Sequence, residues 1–416
     1  MKTVQRIKRR RHNTKSPAFV LLPLRLKSSP EFPPCPILLR EMFKFCITLL
    51  IFTVLNPIHS FKPTPSHESK RNEMSLSASI GGLAPSSPPI KVAIIGAGAA
   101  GLVTARVLKR EGFEPTIFEK EAQATGVWNY QPDSNSRPMY RGLRTNLPRE
   151  LMAFREFPWG GDGKTMSFVT HNEVKEYLKR YTKAMNLEDL IQYQSTVTKL
   201  EVLDNGEKES INKDDSSSWP RIKLEWQSST SGDDSCSDSH SGEFDAVCIC
   251  NGHYAAPANP IIPGIDNFEG EIMHSIAYDE PSIFKGKRVL CVGGRASGSD
   301  LAREISHYAE HVYLSDTTCP SLNNGKPITE GNVSWVPRTT EVLPNSRVSF
   351  GPTCEETPKV DVMIFCSGYD YEFPFIDEDS NLDLSVIPGE RRVKPLYEQL
   401  WHARYPSLTF IGLQHR

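Results

Sequence analysis

The chain has 416 residues, with 48 Lys and Arg against 50 Asp and Glu, a formal net charge of -2, and 38% hydrophobic residues. So even a balance excludes a strongly basic nucleic-acid-binding surface, and so moderate a hydrophobic content excludes a chain built of membrane spans. The length is ample for a large core and predicts two or three domains.

Residues 1–89 read differently from the rest. Lys8, Arg9, Arg10 and Arg11 make the start basic, and residues 45–55 form an apolar or neutral run that ends before Asn56 and Pro57. That run is shorter than the roughly 20 residues of a bilayer span and suits the hydrophobic region of a signal peptide. Met42 makes a start for such a peptide, with Lys44 as its basic flank, and the Ser/Thr/Pro-rich stretch after Ser60 and Phe61 resembles a two-part plastid-targeting leader. The expected address is the endoplasmic reticulum or a plastid, or the cytoplasm where translation starts downstream. This segment is set apart from the fold.

From Lys91 to Lys120 one run holds a strand, a glycine turn, a helix and a second strand ending in an acid. Residues 92–95 are apolar and β-branched, as in a buried parallel strand. Gly96, Gly98 and Gly101 give the spacing G-x-G-x-x-G, which allows a tight turn, backbone approach to a pyrophosphate, and close packing of helix on strand. The helix start favours a phosphate. Glu119 falls where a carboxylate accepts from a ribose 2′-OH and repels a 2′-phosphate, so the ligand predicted here is FAD or NAD.

Residues 140–159 lack a helix or strand period and are rich in aromatics and arginine, as expected of irregular chain packed over a flat cofactor. Residues 171–181 predict an amphipathic helix with Val174, Tyr177, Leu178 and Tyr181 on one face, and His171 reads as its N-terminal residue. Residues 199–203 and 221–226 alternate like a hairpin, residues 204–218 and 228–242 read as loops, and residues 244–250 as a buried strand. A second buried strand at residues 288–292 leads into Gly293, Gly294, Arg295, Ala296, Ser297 and Gly298 and a helix to about His307. Arg295 takes the place of the middle glycine, and Ser297 and Gly298 still offer a hydroxyl and N–H groups to phosphate. The next strand, residues 312–314, ends at Ser315 and Asp316, an acid that favours a free 2′-OH. Residues 333–336 and 347–350 read as strands of a small excursion, and residues 359–369 as a buried strand closing in a glycine turn. Of the nine cysteines, Cys248, Cys250, Cys291 and Cys366 lie in apolar strands and no C-x-x-C occurs, which predicts buried free thiols, with neither a zinc site nor a dithiol redox centre.

Three stretches carry a family resemblance. Residues 96–128 followed by Leu143-Arg144-Thr145-Asn146-Leu147-Pro148-Arg149-Glu150, the pattern Phe268, Gly270, His274 and Tyr278, and Ser367-Gly368-Tyr369 with Phe373-Pro374-Phe375 together resemble the flavin-containing monooxygenases, especially the plant-type branch that oxygenates sulfur. The resemblance implies an α/β fold of two doubly wound, Rossmann-like nucleotide domains, the NAD(P)H domain inserted in the FAD domain. The boundaries it suggests are 90–264 and 351–416 for FAD and 265–350 for the nicotinamide coenzyme. It implies FAD contacts from Gly96, Gly98, Ala99, Ala100, Gly101, Glu119, Val127, Trp128, Arg144, Thr145 and Asn146, and coenzyme contacts from Gly293, Ala296, Ser297, Gly298 and Asp316. The coenzyme is NADPH by resemblance, with NADH allowed by Asp316 and with Arg295 available as the positive charge. Asn146 is the implied catalytic residue, fixing the flavin hydroperoxide that passes oxygen to a small-molecule sulfide or amine. His274 is expected to bond backbone at the hinge, and no metal is implied.

The resemblance also implies further helices after the strand at residues 408–413, so the chain reads as either a truncated gene model or a natural short form. Alternatives at this point are a flavoprotein that oxidises NAD(P)H or does no chemistry, and a related Baeyer–Villiger or indole-pathway monooxygenase. A disulfide reductase would need a spaced dithiol.

Overall fold

A computed structural model describes residues 88–132, 138–160, 166–203, 220–229, 237–319, 327–352, 354–378, 380–387 and 392–413. The leader expected before residue 88 and the loop expected at 204–218 lie outside these residues.

β1 (Lys91–Ile95), α1 (Ala99–Arg110) and β2 (Glu114–Phe118) follow one another as the sequence predicts, and after α2 (His171–Ala184) the chain adds β3 (Ala246–Ile249) beside β1. β4 (Glu271–His274), β5 (Arg288–Val292), α3 (Ala296–Ile305), β6 (His311–Ser315), β7 (Val333–Val336) and β8 (Val362–Phe365) then build a second sheet. The chain returns in β9 (Leu408–Phe410), which pairs with β3.

The first sheet runs Leu396–Tyr397, Trp401–His402, β9, β3, β1, β2, Ile191–Gln192, and its last five strands are parallel. The second runs Ile328–Glu330, β7, β6, β5, β8, β4 and is parallel apart from its first strand. This is the mixed α/β architecture of two Rossmann-type units. Among the described residues no helix is long and apolar enough to cross a membrane.

Both faces of each sheet are buried, so the strands read as continuous apolar runs whose alternate residues serve two cores. In β1, Val92 and Ile94 join the core under α1 and α2, while Ala93 and Ile95 face Val197, Leu200, Ile222 and Leu224. In β5, Val289 and Cys291 meet Leu301, Ala302 and Ile305 of α3, while Leu290 meets Val342, Val348 and Phe350. One face of each unit is thus covered by helix and the other by antiparallel strands.

Three predicted segments are corrected. Residues 237–242, within the loop expected at 228–242, belong to Ser237–Phe244, the third strand of the sheet Ser195–Val202, Ile222–Ser229, Ser237–Phe244, because the long middle strand offers a full ladder that outweighs the weak strand propensity of serine. Val333–Val336 extends the second sheet beside β6; the excursion is the hairpin Thr339–Leu343 with Arg347–Phe350. The boundary at 350/351 cuts through the second unit, since β8 lies between β5 and β4. Asp361 secures that position by accepting from the Arg288 backbone N–H at 2.8 Å and from its guanidinium at 3.0 and 3.2 Å. Ile262 already belongs to the core of the second unit, so that unit begins before 265 as well.

Cys248, Cys250, Cys291 and Cys366 are buried free thiols, and burial pushes the Cys248 thiol up to about 11.

Candidate functional site

The first glycine turn is a cradle that side chains would fill. Gly96 sits at φ 101°, and a Cβ there would lie 2.6 Å from the Cys250 carbonyl oxygen; a Cβ on Gly101 would strike the Gly96 carbonyl. Gly98 caps α1 in extended conformation with no side-chain hydrogen bond, and the first turn has no acid. The opening N–H groups of α1, including those of Ala99 and Ala100, are therefore left to an anion, and the helix dipole favours one. Glu119 closes the rim of the turn: its carboxylate accepts from the Ala97 N–H at 2.7 Å and the Glu121 N–H at 2.9 Å. The turn Gly126–Trp128 folds against Gly98, where a Cβ would stand 3.5 Å from the Gly126 Cα, so Val127 and Trp128 are brought to the cradle half-buried. These residues fit the pyrophosphate and adenosine ribose of a dinucleotide.

α2 is the platform for the second group of predicted residues. Thr170 and Glu173 form a reciprocal capping box at its start. Asn129 accepts from Lys175 at 2.8 Å, the ring of Tyr130 lies 4.9 Å from that of His171, and the His171 N–H donates to the Leu143 carbonyl at 3.3 Å. His171 is the first residue of the helix, as expected, with its basicity lowered by burial. Thr145 is buried and fixed twice, donating its N–H to the Val169 carbonyl at 2.8 Å and accepting the Val169 N–H on its hydroxyl at 3.1 Å. Arg144 donates to the Phe168 carbonyl at 3.1 Å. Asn146, next along, is exposed and has no hydrogen-bond partner among the described residues. A pinned backbone thus presents a free amide.

The second turn repeats the first with one change. Gly293 has φ 111°, a Cβ there would lie 2.6 Å from the Cys366 carbonyl oxygen, and Gly298 packs on Gly293 as Gly101 does on Gly96. Arg295 caps α3 in extended conformation without a side-chain hydrogen bond, and Arg295, Ala296 and Ser297 are exposed. The turn fits an anion, with a guanidinium where the first has a glycine. Asp316 packs over Gly294, where a Cβ would clash with its carboxylate, and accepts from the Thr318 N–H at 3.1 Å. Asp316 is to this turn what Glu119 is to the first.

The two units are joined by paired crossovers: Ala256–Pro257 runs antiparallel to Tyr369–Asp370, and the Ala258 N–H donates to the Gly368 carbonyl at 3.0 Å. His274 bonds backbone here through both ring nitrogens, Nε2 to the Gly368 carbonyl at 3.1 Å and Nδ1 from the Ile276 N–H at 3.2 Å. An acceptor Nδ1 and a donor Nε2 define a neutral imidazole, and burial lowers its basicity against the opposing carbonyl. His402 is built alike, with Nε2 on the Leu382 carbonyl at 2.7 Å and burial again lowering its basicity. Both pKa values lie below the unfolded value of about 6.5. The stability these residues contribute is full above that value and is lost as pH falls through the lower folded-state values, because the unfolded chain takes up protons first. Thermal unfolding should therefore occur at falling temperature below about pH 6.5, and His274→Gln, which retains an amide donor, should flatten that acid limb. A limb unchanged in the variant would remove His274 from the account.

One group was missed in the sequence. Tyr140 donates to Asp300, Tyr278 donates to Glu304 at 2.7 Å, and Tyr130 donates to Asp279 at 2.7 Å. Asp300 and Glu304 lie one turn apart on α3, but such a pair ordinarily marks a solvated helix face, and only the tyrosines opposite show otherwise.

The sequence pattern of the flavin-binding monooxygenase-like family matches residues 89–324. The chain is 34% identical over 345 residues to the flavin-containing monooxygenase FMO GS-OX-like 2 of Arabidopsis thaliana, covering 77% of this chain and 69% of that protein. Among solved structures it resembles the S-allyl-L-cysteine S-oxygenase of Allium sativum, with a TM-score of 0.68, 31% identity, and 78% and 72% of the two chains covered. It also resembles Tmm from a Pelagibacter strain, with a TM-score of 0.62, 26% identity, and 78% and 71% covered.

Proposed function

The chain belongs to the flavin-binding monooxygenase-like family, and from that premise we propose that it oxygenates a soft nucleophile, a sulfide in the first place and an amine in the second, using NADPH and dioxygen. The observation that carries this reading is the free amide of Asn146, held by the twice-fixed Thr145 on the same platform as the turn of Trp128. Similarity to a plant protein named for S-oxygenation supports sulfur as the acceptor.

Bound FAD supplies the dioxygen-activating chemistry, and the protein's part is to bind, orient and exclude water. The opening N–H groups of α1 hold the pyrophosphate, and Glu119 accepts from the ribose hydroxyl. Trp128 covers the cradle on the side of the Gly126 turn. Asn146, carried on the pinned backbone next to Thr145, would offer its amide N–H to the oxygen being transferred, and with flavin and coenzyme bound over it and water excluded that donor would stabilise developing charge. The second turn and Arg295 hold the nicotinamide coenzyme.

The overall balance is sulfide, NADPH, a proton and dioxygen giving sulfoxide, NADP+ and water. The test is turnover of the purified full chain with FAD, NADPH and methyl phenyl sulfide. The expected result is one sulfoxide per NADPH consumed. Consumption of NADPH with only hydrogen peroxide formed would overturn the reading in favour of an NADPH-oxidising flavoprotein.

Asp316 adds a second expectation. A carboxylate at the end of the second strand repels the 2′-phosphate that distinguishes NADPH from NADH. Asp316→Ala should raise the NADPH to NADH ratio of kcat/KM for flavin reduction by about tenfold, which is about 1.4 kcal/mol. An unchanged ratio would show that Asp316 does not face the adenosine ribose.

A further inference from the structure

The segment that carries Asn146 is anchored in the second nucleotide unit before it reaches the first. Tyr140 is buried in the core of the second sheet, beside Val289, Cys291, Leu301 and Ile305, with Leu143 packed at its edge. Its ring meets that of Tyr278 edge-on at 5.2 Å. The two hydroxyls reach successive turns of α3, Tyr140 to Asp300 and Tyr278 to Glu304. Between them Gly142 lies so near the Glu304 carboxylate that a Cβ would stand 2.5 Å from its Oε1. Arg141 completes the attachment, its N–H donating to the Asp279 carbonyl at 3.2 Å and its guanidinium pairing with the Asp279 carboxylate at 3.2 Å.

These contacts are more than core packing, because α3 is the helix whose N-terminus would hold the coenzyme. Asp300 lies in the second turn of that helix, and Asn146 follows Tyr140 by a short loop. We propose that Tyr140, Gly142 and Tyr278, held by Asp300 and Glu304, form a clamp that transmits occupancy of the second nucleotide turn to the position of the Asn146 amide. Tyr140 and Asp300 are positioning residues in this arrangement, since they touch neither substrate nor reacting oxygen. The clamp rests on the reading above that the second turn takes the nicotinamide coenzyme and that Asn146 serves the reaction.

The energetic logic favours a rigid linkage. Two hydroxyl–carboxylate hydrogen bonds at the half-buried edge of an apolar core are stronger than their exposed counterparts, and losing the Tyr140 bond leaves Asp300 only its pair with the exposed Arg303. The Tyr140–Asp300 bond joins chain segments from the two units, so it resists rotation of one against the other about the paired crossovers.

The test is amide hydrogen exchange of the flavin-loaded full chain, with and without NADP+, in wild type, Tyr140→Phe and Asp300→Asn. NADP+ binding is measured separately by calorimetry. In wild type NADP+ should slow exchange across residues 141–146, and in both variants that protection should fall at least threefold while NADP+ affinity changes by less than threefold. Tyr140→Phe keeps the ring in the core and guards against loss of fold. A wild-type chain that binds NADP+ without protecting 141–146 overturns the clamp, as does full protection in both variants. A wild-type chain that does not bind NADP+ overturns the coenzyme reading and the clamp together, and calorimetry tells this apart from failure of the clamp alone.

Discussion

Gly98→Val should give a folded protein that purifies without its yellow colour. Gly98 is at φ -74°, outside the left-handed region, and a Cβ there makes only an ordinary 3.5 Å contact with the Gly126 Cα, so the backbone accommodates a side chain at this position. The branched side chain nevertheless stands where the backbone must approach the pyrophosphate. FAD affinity should fall by about a hundredfold or more, equivalent to about 2.7 kcal/mol. Gly96→Val is the contrast, since at φ 101° and against the Cys250 carbonyl it should cost folding itself. The measurement is flavin absorbance per mole of protein after dialysis, beside the far-ultraviolet circular dichroism spectrum. Full flavin occupancy in Gly98→Val would place the cofactor elsewhere.

Asn146→Ala should leave flavin content and NADPH-dependent reduction close to wild type and lower sulfoxide formation by about 10²–10³, the usual loss for one fixed donor at a site of developing charge. The oxygen consumed should appear as hydrogen peroxide. Because Asn146 is exposed and has no hydrogen-bond partner among the described residues, its removal disturbs no bond described there, and the change in unfolding temperature should be small. Stopped-flow reduction and peroxide assay together check this, and unaltered coupling in the variant would move the donor role to another residue.

The Gly98 variant probes a feature that a linear reading reveals, because the glycine turn depends on neighbours in sequence. Gly96 to Glu119 is one βαβ unit, and its strand, turn, helix and acid each leave a local mark. The second unit repeats that order from Arg288 to Asp316. What escaped is non-local. Ser237–Phe244 is strand only because Ile222–Ser229 lies beside it. β8 was given to the wrong side of a domain boundary because a buried strand carries no sign of which sheet it joins. The tyrosine–carboxylate pairs span chain separations far beyond any periodicity, and Asp300 reads as solvent-facing until Tyr140 is found opposite it. Asn146 itself was reached through resemblance. The structure adds the physical ground, a free amide next to a fixed threonine.

The crossovers at Ala258 and Gly368 bear on how the chain tolerates change. Seen from the first sheet, the whole second unit is one long loop whose ends are already tied by a backbone hydrogen bond of 3.0 Å. Loop-closure entropy grows only with the logarithm of loop length, so lengthening or shortening the insert adds little to what the first sheet must overcome to fold. The inserted unit is free to vary in size at its outer loops, provided that its two ends stay side by side and Tyr140 still finds its place in its core.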